Sequence, residues 1–287
     1  MKYAIIGAGA SGLLPAYLLK KAGHDVQVIA QHEEQAALIN KQGIIHGGNR
    51  QPVEAYTDVE QIDPDAVIIL TLNYEDLQPI LRLLKIRCAS NRIIFLQQGM
   101  LFLEKARTLS HRHIAAAILE TDCIKLSDVE ISFNKAARFT FGLVKGHAEE
   151  FLPVLETSAW QSEWVDTIEE SLFEQLLFNS LIDPLTAIMK IRNGELITNP
   201  HAYELFRNLY SELYLAFPEI EWLQPIEKVA TLCAAEPERV SAMLADRLAG
   251  DAMEVDGLML YVLNRSKLEL PLFKAFYHLL KTVEVGK

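Results

Sequence analysis

Hydrophobic residues follow two different patterns along the 287-residue chain. In the first part, short apolar runs alternate with segments in which apolar residues recur every three to four positions. Such runs are typical of parallel strands buried on both faces, and the segments between them have the period of amphipathic helices. The predicted strands lie at residues 3–7, 26–30, 66–70 and 92–96. The pattern therefore predicts repeated β-α-β units.

A more strictly alternating stretch, DVEISFNKAARFTFGL at residues 128–143, follows these units. Its two short runs flank Asn134 and Lys135, which predicts an antiparallel hairpin and a mixed sheet. Strand signals then vanish from about residue 166. Helical patterns follow at 167–190, 200–217, 223–235, 238–248, 250–266 and 271–283. The predicted fold is an α/β Rossmann-type domain at 1–165, with a mostly parallel sheet and an antiparallel end, followed by an all-α domain at 166–287.

Composition narrows the classes of function. Acidic residues outnumber basic ones by 38 to 27, and the net charge is −11. Because no basic cluster is present, nucleic acid is not an expected partner. Cys88, Cys123 and Cys233 are far apart and have no metal-ligand spacing, so a reducing compartment without disulfides or a metal site is expected. With no secretion signal and no apolar run of about 18 residues, we expect a cytoplasmic protein that does not enter membranes.

The first chemical motif is GAGASG at residues 7–12, placed between a predicted strand and a predicted helix. In this context a GxGxxG pattern indicates dinucleotide binding. Gly7 permits the tight turn, Gly9 lets the backbone approach a pyrophosphate, and Gly12 lets helix and strand pack closely. Ala8, Ala10 and Ser11 complete the loop. The alternative is that the glycines serve backbone geometry alone.

The end of the second strand normally selects the cofactor, since an acidic residue there binds the ribose of NAD and an arginine binds the phosphate of NADP. Here the strand ends in Gln31 and His32, so the residue type leaves the choice open. His32 is interpreted as a loop histidine. Glu33 and Glu34 are expected to begin the next helix as first-turn acids rather than to contact a ribose, and neither would favour a phosphate.

A stripe of polar residues crosses the otherwise apolar helix predicted at 167–190. Gln175, Asn179 and Asp183 are spaced four apart and so share one face. Buried polar groups without partners cost roughly 1–3 kcal/mol each. The stripe is therefore either hydrogen-bonded within the fold or lines a site. In the first case Asn179 would cap backbone groups where Pro184 interrupts the helix.

Three other features have simple interpretations. Lys190 and Arg192 either bind a carboxylate or, as expected more often, interact with a helix end in solvent. The segment 44–49, which contains His46, is expected to be a loop because no second metal ligand matches it. Trp160 and Trp164 are expected to pack near the domain junction.

Several motifs together resemble the ketopantoate reductase (2-dehydropantoate 2-reductase) family. They are the GxGxxG loop, QGM at 98–100, NSLIDPLTA at 179–187, RNGEL at 192–196, SAMLAD at 241–246 and EVDG at 254–257. The resemblance covers the whole chain. It implies a Rossmann domain followed by a helical domain, with reduction of the ketone of 2-dehydropantoate by NADPH in a cleft between them, as a step toward pantothenate.

The resemblance also carries roles to individual positions. Asn179 and Asn193 match substrate-binding asparagines, and Glu254 matches an active-site glutamate. The remaining matched positions depart from the family: Gln175 replaces the lysine credited as general acid, Asp183 and Gln98 replace asparagines, Ala242 replaces a substrate-binding serine, and Gln31 and Asn73 stand where cations often bind the NADP phosphate. Of these positions, Gln98 and Glu254 are also expected to contact the cofactor.

Two classes of function follow from these residues. The first is an NAD(P)-dependent reductase of a small 2-oxo acid, with NADP(H) favoured by the resemblance, NAD(H) left open, and ketopantoate or another 2-oxo acid as substrate. The second is a catalytically impaired or non-catalytic dinucleotide-binding relative, since glutamine cannot transfer a proton at neutral pH. A homodimer is possible in either case.

Overall fold

The computed structural model describes residues 1–121 and 123–285, and these form two compact units. The first unit comprises Met1–Gln97 and Phe102–Ile168. The second comprises Gln98–Leu101 and the chain from Glu169 onward. The sequence predicted one boundary after residue 165, which would assign residues 98–101 to the first unit rather than to the second.

The first unit is built on a sheet that contains the four predicted apolar runs as strands. In chain order the strands of the described residues are β1 (Lys2–Ile6), β2 (Asp25–Ile29), β3 (Ile44–His46), β4 (Asn49–Gln51), β5 (Glu54–Tyr56), β6 (Val67–Leu70), β7 (Arg92–Phe95), β8 (Ile114–Leu119), β9 (Ile124–Lys125), β10 (Ile131–Ser132), β11 (Arg138–Lys145) and β12 (Gln161–Val165). Eight of them form one sheet in the order β12-β11-β8-β7-β6-β1-β2-β5.

This sheet is parallel except where β11 runs antiparallel to β8. The predicted mostly parallel sheet with an antiparallel end is thus confirmed. Because β1, β2 and β6 are parallel neighbours, the residues that follow them, Gly7, Ala30 and Thr71, meet at one edge. In doubly wound folds this carboxyl edge is the one that receives ligands.

Helices cover the sheet and make up the second unit. Their bounds are α1 (Ala10–Lys21), α2 (Glu33–Gln42), α3 (Tyr74–Arg87), α4 (Phe102–Thr108), α5 (Leu152–Leu155), α6 (Ile168–Met189), α7 (Asn193–Thr198), α8 (Pro200–Ala216), α9 (Ile220–Leu223), α10 (Ile226–Ala235), α11 (Ala242–Ala249), α12 (Val255–Arg265) and α13 (Pro271–Val285). Short 3₁₀ turns lie at Val59–Gln61 and Ala148–Phe151. None of the helices in the described residues is both long and apolar enough to cross a membrane.

The predicted hairpin at 128–143 is wrong. Its first half, β10, pairs with β9, whereas its second half, β11, pairs with β8 and β12. The alternation of apolar residues fits half-buried strands, but it does not specify their partners.

The predicted loop at 44–49 is also wrong, because β3 and β4 form a hairpin in which His46 opposes Asn49. Gly47 and Gly48 between them have φ of +54° and +75°. Two consecutive residues with positive φ are what a tight two-residue hairpin turn requires, so the Gly-Gly pair was the missed signal.

The helical unit differs in detail from the predicted segments. The short helix α7 was not predicted, and residues 250–254 precede α12 rather than belonging to it. The segment predicted at 223–235 is divided at Pro225, which precedes α10 and cannot supply a backbone N–H to continue a helix.

Candidate functional site

The glycine loop joins β1 to α1 at the carboxyl edge of the sheet. Gly7 has φ of +114°, and a Cβ there would lie 2.5 Å from the Thr71 hydroxyl oxygen. A Cβ on Gly12 would collide with the carbonyl oxygen of Gly7. A Cβ on Gly9, by contrast, would meet no described heavy atom within 4 Å. Two glycines are therefore required for packing, and the third leaves open space above the backbone.

That open space suits an anion. Gly9 is the N-cap of α1 and forms no side-chain cap, so the N–H groups of Ala10 and Ser11 belong to a first helical turn that has no internal acceptors. A helix N-terminus also carries a partial positive charge. The loop thus fits the pyrophosphate of a dinucleotide by shape and by hydrogen-bonding capacity.

The second strand leads directly into α2 at the same edge. Gln31 is exposed after the buried Ala30, and His32 is the N-cap of α2. Glu33 and Glu34 lie in the first turn of α2. The hydroxyl of Thr57, which follows the neighbouring strand β5, donates a hydrogen bond of 2.6 Å to Oε1 of Glu33.

Helix α2 is also tied to the glycine loop. The buried side chain of Gln35 donates a hydrogen bond of 2.8 Å to the carbonyl oxygen of Ala8 and another of 3.0 Å to that of Asp128. Asn73, which follows β6 on the other side of β1, is the half-buried N-cap of α3. The predicted cofactor residues of the first unit therefore gather along one sheet edge.

In the second unit, α6 carries the polar stripe. Gln175 and Asn179 are half-buried, whereas Asp183 is 4% exposed. Among the described residues the side chains of Gln175 and Asn179 form no hydrogen bond, so the alternative in which Asn179 caps backbone groups at Pro184 is not observed. The two side chains keep their hydrogen-bonding capacity for another partner.

Asp183 is the most unusual group on the stripe. Its Oδ2 is buried without a hydrogen-bond partner. The pKa of this carboxyl is raised to about 7, chiefly by burial and then by the carboxylate of Asp246, against the opposing effect of the Arg239 guanidinium. Asp183 is consequently a carboxyl group that still holds a proton near neutral pH.

Asn193 belongs to the same neighbourhood through Arg239. Its backbone N–H donates a hydrogen bond of 3.0 Å to the carbonyl oxygen of Arg239, and the N–H of Gly194 donates to that of Pro237. A Cβ on Gly194 would lie 2.5 Å from the Cβ of Pro237, so glycine is needed for this close approach. The side chain of Asn193 is buried, and its Oδ1 has no partner.

Helix α11 begins beside this group. Ser241 caps it, accepting a hydrogen bond of 3.2 Å from the N–H of Leu244, and its hydroxyl lies 2.7 Å from that of Thr186 on α6. Ala242, the first residue of α11, is exposed. The structure therefore brings Asp183, Asn193 and the start of α11 into one cluster, which we call the α6 polar cluster.

A second group of predicted residues surrounds the start of α12. Gly99 has φ of +77°, and a Cβ there would collide with the carbonyl oxygen of Gly257. A Cβ on Gly257 would in turn collide with Oε1 of Glu254, the half-buried N-cap of α12. Backbone contact between two glycines thus holds the exposed Gln98 near Glu254.

The remaining candidates lie at helix ends or pack against aromatic rings. Lys190 is exposed at the end of α6 with φ of +54°. Arg192 is the exposed N-cap of α7 and pairs with Glu238. Trp160 packs 4.7 Å from the Phe139 ring centroid, and Trp164 stacks on Phe151. The expected packing role of the two tryptophans is confirmed.

Family models match both parts of the chain. The model described as ketopantoate reductase PanE/ApbA matches residues 3–146, and the model of the C-terminal part of that family matches residues 167–284. The chain belongs to the ketopantoate reductase family. The resemblance drawn from its motifs is therefore confirmed, as is the expectation of an oxidoreductase with a Rossmann-type domain and a helical domain.

Individual relatives of this family extend over nearly the whole chain. The 2-dehydropantoate 2-reductase of Listeria monocytogenes is 27% identical, and the match covers 99% of this chain and 97% of that relative. The crystal structure of a probable 2-dehydropantoate 2-reductase, PanE, from Bacillus subtilis is 26% identical, with a TM-score of 0.83 over 99% of this chain and 100% of that one.

A third similarity concerns the fold alone. The ternary structure of D-mandelate dehydrogenase with NADH and anilino(oxo)acetate has a TM-score of 0.85 and covers 100% of this chain and 99% of that one. Its sequence identity is 16%. Chains of this fold thus occur under different enzyme names, and the fold does not decide the substrate.

Sequence reasoning missed several residues that build these sites in this member of the ketopantoate reductase family. Thr71 packs on the glycine loop, Gln35 fixes it to α2, and Thr57 orients Glu33. Arg239 and Thr186 shape the α6 polar cluster. A polar residue directly after a buried strand, as at Thr57 and Thr71, was the available signal, whereas the position of Arg239 depends on tertiary packing.

Proposed function

We propose that this chain is an NAD(P)-dependent reductase of a small 2-oxo acid, with 2-dehydropantoate as its first candidate substrate. Residues 1–165 serve as the dinucleotide domain, and residues 166–287 serve as the substrate domain. The observation that carries the proposal is the polar face of α6, where the half-buried side chains of Gln175 and Asn179 have no hydrogen-bond partner among the described residues. Orphaned polar atoms in a fold are costly, and a polar ligand would satisfy them.

Each residue has a proposed role. The glycine loop, Gly7 to Gly12, holds the pyrophosphate, and Gln31 and Asn73 lie toward the adenosine end. The bound nicotinamide supplies the hydride. In the second unit, Asn179 and Asn193 donate hydrogen bonds to the substrate, while Gln98, Ala242 and Glu254 form further parts of its surroundings.

The proton for the developing alkoxide is proposed to come from Asp183. Gln175 can stabilise negative charge by donating an amide hydrogen bond, but it has no acidic proton. Asp183, with its pKa raised to about 7, retains a proton at the pH where reduction takes place. A general acid works best when its pKa is near the operating pH, so this carboxyl replaces the function that a lysine at position 175 would supply.

The test is steady-state oxidation of NADH and of NADPH by the purified chain with 2-dehydropantoate and related 2-oxo acids. We expect turnover above background, and a fall in kcat of about 10²-fold in Asp183→Asn because a general acid is lost. Adding Gln175→Lys to Asp183→Asn should recover activity, since it restores a proton donor on the same helix face. A structural role for Asp183 alone would leave kcat and its pH profile unchanged in Asp183→Asn.

A non-catalytic relative is the second candidate, and Gln175 is the residue that favours it. This alternative predicts no turnover of any 2-oxo acid by the native chain with either nucleotide. It also predicts that Gln175→Lys gains activity. That pair of results would overturn the reductase proposal.

A further inference from the structure

The segment that follows β2, where the adenosine ribose of a bound dinucleotide is expected, carries negative and neutral side chains. Gln31 is neutral, and Glu33 and Glu34 place two carboxylates in the first turn of α2. Among the described residues neither carboxylate takes part in a recorded ion pair. NADPH differs from NADH by a 2′-phosphate on the adenosine ribose, which requires a cation at this position. In this chain the position has carboxylates instead of a cation.

Glu33 is held in place rather than free to swing away. Thr57 donates a hydrogen bond of 2.6 Å to Oε1, and Thr57 follows β5, the strand paired with β2. Within the described residues Oε2 of Glu33 has no recorded hydrogen bond. Glu33 lies just beyond β2, at the start of α2, and its second carboxylate oxygen can accept a hydrogen bond from a ribose hydroxyl.

The helix that carries Glu33 is also tied to the glycine loop. Gln35, two residues further along α2, donates a hydrogen bond of 2.8 Å to the carbonyl oxygen of Ala8 in the glycine loop. The helix that carries Glu33 and the loop that fits the pyrophosphate therefore form one rigid arrangement. A dinucleotide bound on the loop directs its adenosine ribose toward the end of β2.

Two lysines of the first unit already have partners. Lys125 pairs with Asp128 at 3.0 Å, and the ammonium of Lys105 lies 3.9 Å from the centre of the Tyr74 ring. Tyr74 follows β6, which β1 separates from β2 in the sheet. Two strand spacings are roughly 10 Å, so Lys105 is remote from the end of β2.

We infer that this chain selects NADH over NADPH, and that Glu33, oriented by Thr57, is the residue that determines the selection. This inference rests on the proposed function, in which the glycine loop binds a dinucleotide. Glu33 accepts a hydrogen bond from the ribose hydroxyl of NADH and repels the 2′-phosphate of NADPH. Gln31 and Asn73 are neutral, so neither attracts the phosphate and offsets this repulsion.

The experiment is equilibrium titration of the full chain with NADH and with NADPH, followed by the fluorescence of the reduced nicotinamide without any substrate. We expect the Kd for NADH to be at least about 10-fold lower, since a favourable hydrogen bond is exchanged for charge repulsion. The ratio of the two constants should shrink as the salt concentration rises from 50 to about 500 mM, because salt screens the repulsion of an exposed site.

Two variants test the residue itself. Glu33→Gln keeps a hydrogen-bonding partner for Thr57 but removes the charge, and should lower the Kd for NADPH by about 10-fold while raising that for NADH. Gln31→Arg should lower the Kd for NADPH by a similar factor. Glu34→Gln is the matched control, since it removes the same charge from the same helical turn without touching the Thr57 contact, and its effect should be smaller.

The outcomes separate the inference from the proposed function. Equal or tighter binding of NADPH by the native chain would overturn the inference and leave the reductase proposal standing. A Glu34→Gln effect as large as that of Glu33→Gln would overturn the role of Glu33. Binding of neither nucleotide would overturn both. Preferential binding of NADH without turnover of any 2-oxo acid would support the inference and oppose the reductase proposal.

Discussion

At the scale of single residues, Asp183 shows how a buried carboxyl can couple activity to stability. It is 4% exposed, and its Oδ2 lacks a hydrogen-bond partner. A carboxylate in such a place loses its hydration, and the guanidinium of Arg239 offsets only part of that loss. The protonated form avoids that cost. The residue that is proposed to donate a proton is therefore also one that weakens the fold once the proton has gone.

The sign of this effect with pH follows from the two pKa values. In the unfolded chain the carboxyl titrates near pH 4, and in the folded chain near pH 7. The folded state therefore binds the proton more tightly between these values, and the contribution to stability is fully present below about pH 4 and lost as the pH rises through about 7. A difference of about three pKa units corresponds to at most about 4 kcal/mol.

We expect Asp183→Asn to remove most of this pH dependence, and to unfold at a higher urea concentration than the native chain at pH 8. Urea titrations at pH 5 and pH 8 measure the change. Asp166→Asn, at an exposed position, is the control and should keep the pH dependence of the native chain. If the stability of Asp183→Asn still falls with pH as steeply as that of the native chain, this carboxyl is not the source of the pH dependence.

At the scale of secondary-structure elements, close contact between backbones fixes the second group of predicted site residues. Gly99 approaches Gly257 so closely that a Cβ on Gly99 would collide with the backbone of Gly257. A Cβ on Gly257 would collide with the side chain of Glu254. Gln98 and Glu254 are far apart in the sequence, yet this contact joins the segments that carry them. The QGM motif therefore depends on glycine for reasons of packing as well as of backbone angle.

We expect Gly99→Ala to lower the free energy of unfolding by roughly 2–4 kcal/mol, because it combines a positive φ with a collision against backbone. Gly250→Ala is the matched control. Gly250 has φ of +83° but no described heavy atom within 4 Å of its Cβ position, so its loss should be about 1 kcal/mol. Urea unfolding of both variants makes the comparison. Equal losses would mean that the contact with Gly257 carries no energetic weight.

The elements that the sequence predicted well are those with a strong local signal. The apolar runs of β1, β2, β6 and β7 are buried, and a run of that kind is stable only inside a sheet. The pairing of β9 with β10 and of β11 with β8 was not predictable, because alternation specifies a face and not a partner. The same limit applies to the site: spacing placed Gln175, Asn179 and Asp183 on one face, but only packing brings Arg239 to Asp183.

At the scale of the whole molecule, the charge of the chain opposes its proposed ligands. The net charge is −11, and both the dinucleotide and a 2-oxo acid are anions. Long-range attraction therefore does not assist binding, and affinity has to arise from local groups such as the first turn of α1. The folded state should in turn be stabilised by whatever those local groups bind.

Gly9→Asp tests this linkage. Aspartate is a favourable N-cap, and the open space at Gly9 accommodates its side chain, so stability without nucleotide should be unchanged or slightly higher. Its carboxylate would lie where the pyrophosphate is proposed to bind. In the native chain, NADH at 100 times its Kd should add about 2.7 kcal/mol to the free energy of unfolding of the first unit. We expect Gly9→Asp to lose that gain, as measured by hydrogen exchange of the β1 amides. The control is Gly23→Asp, which adds the same charge just beyond the other end of α1 and should keep the stabilisation by NADH. If Gly9→Asp also keeps that stabilisation, the nucleotide binds elsewhere.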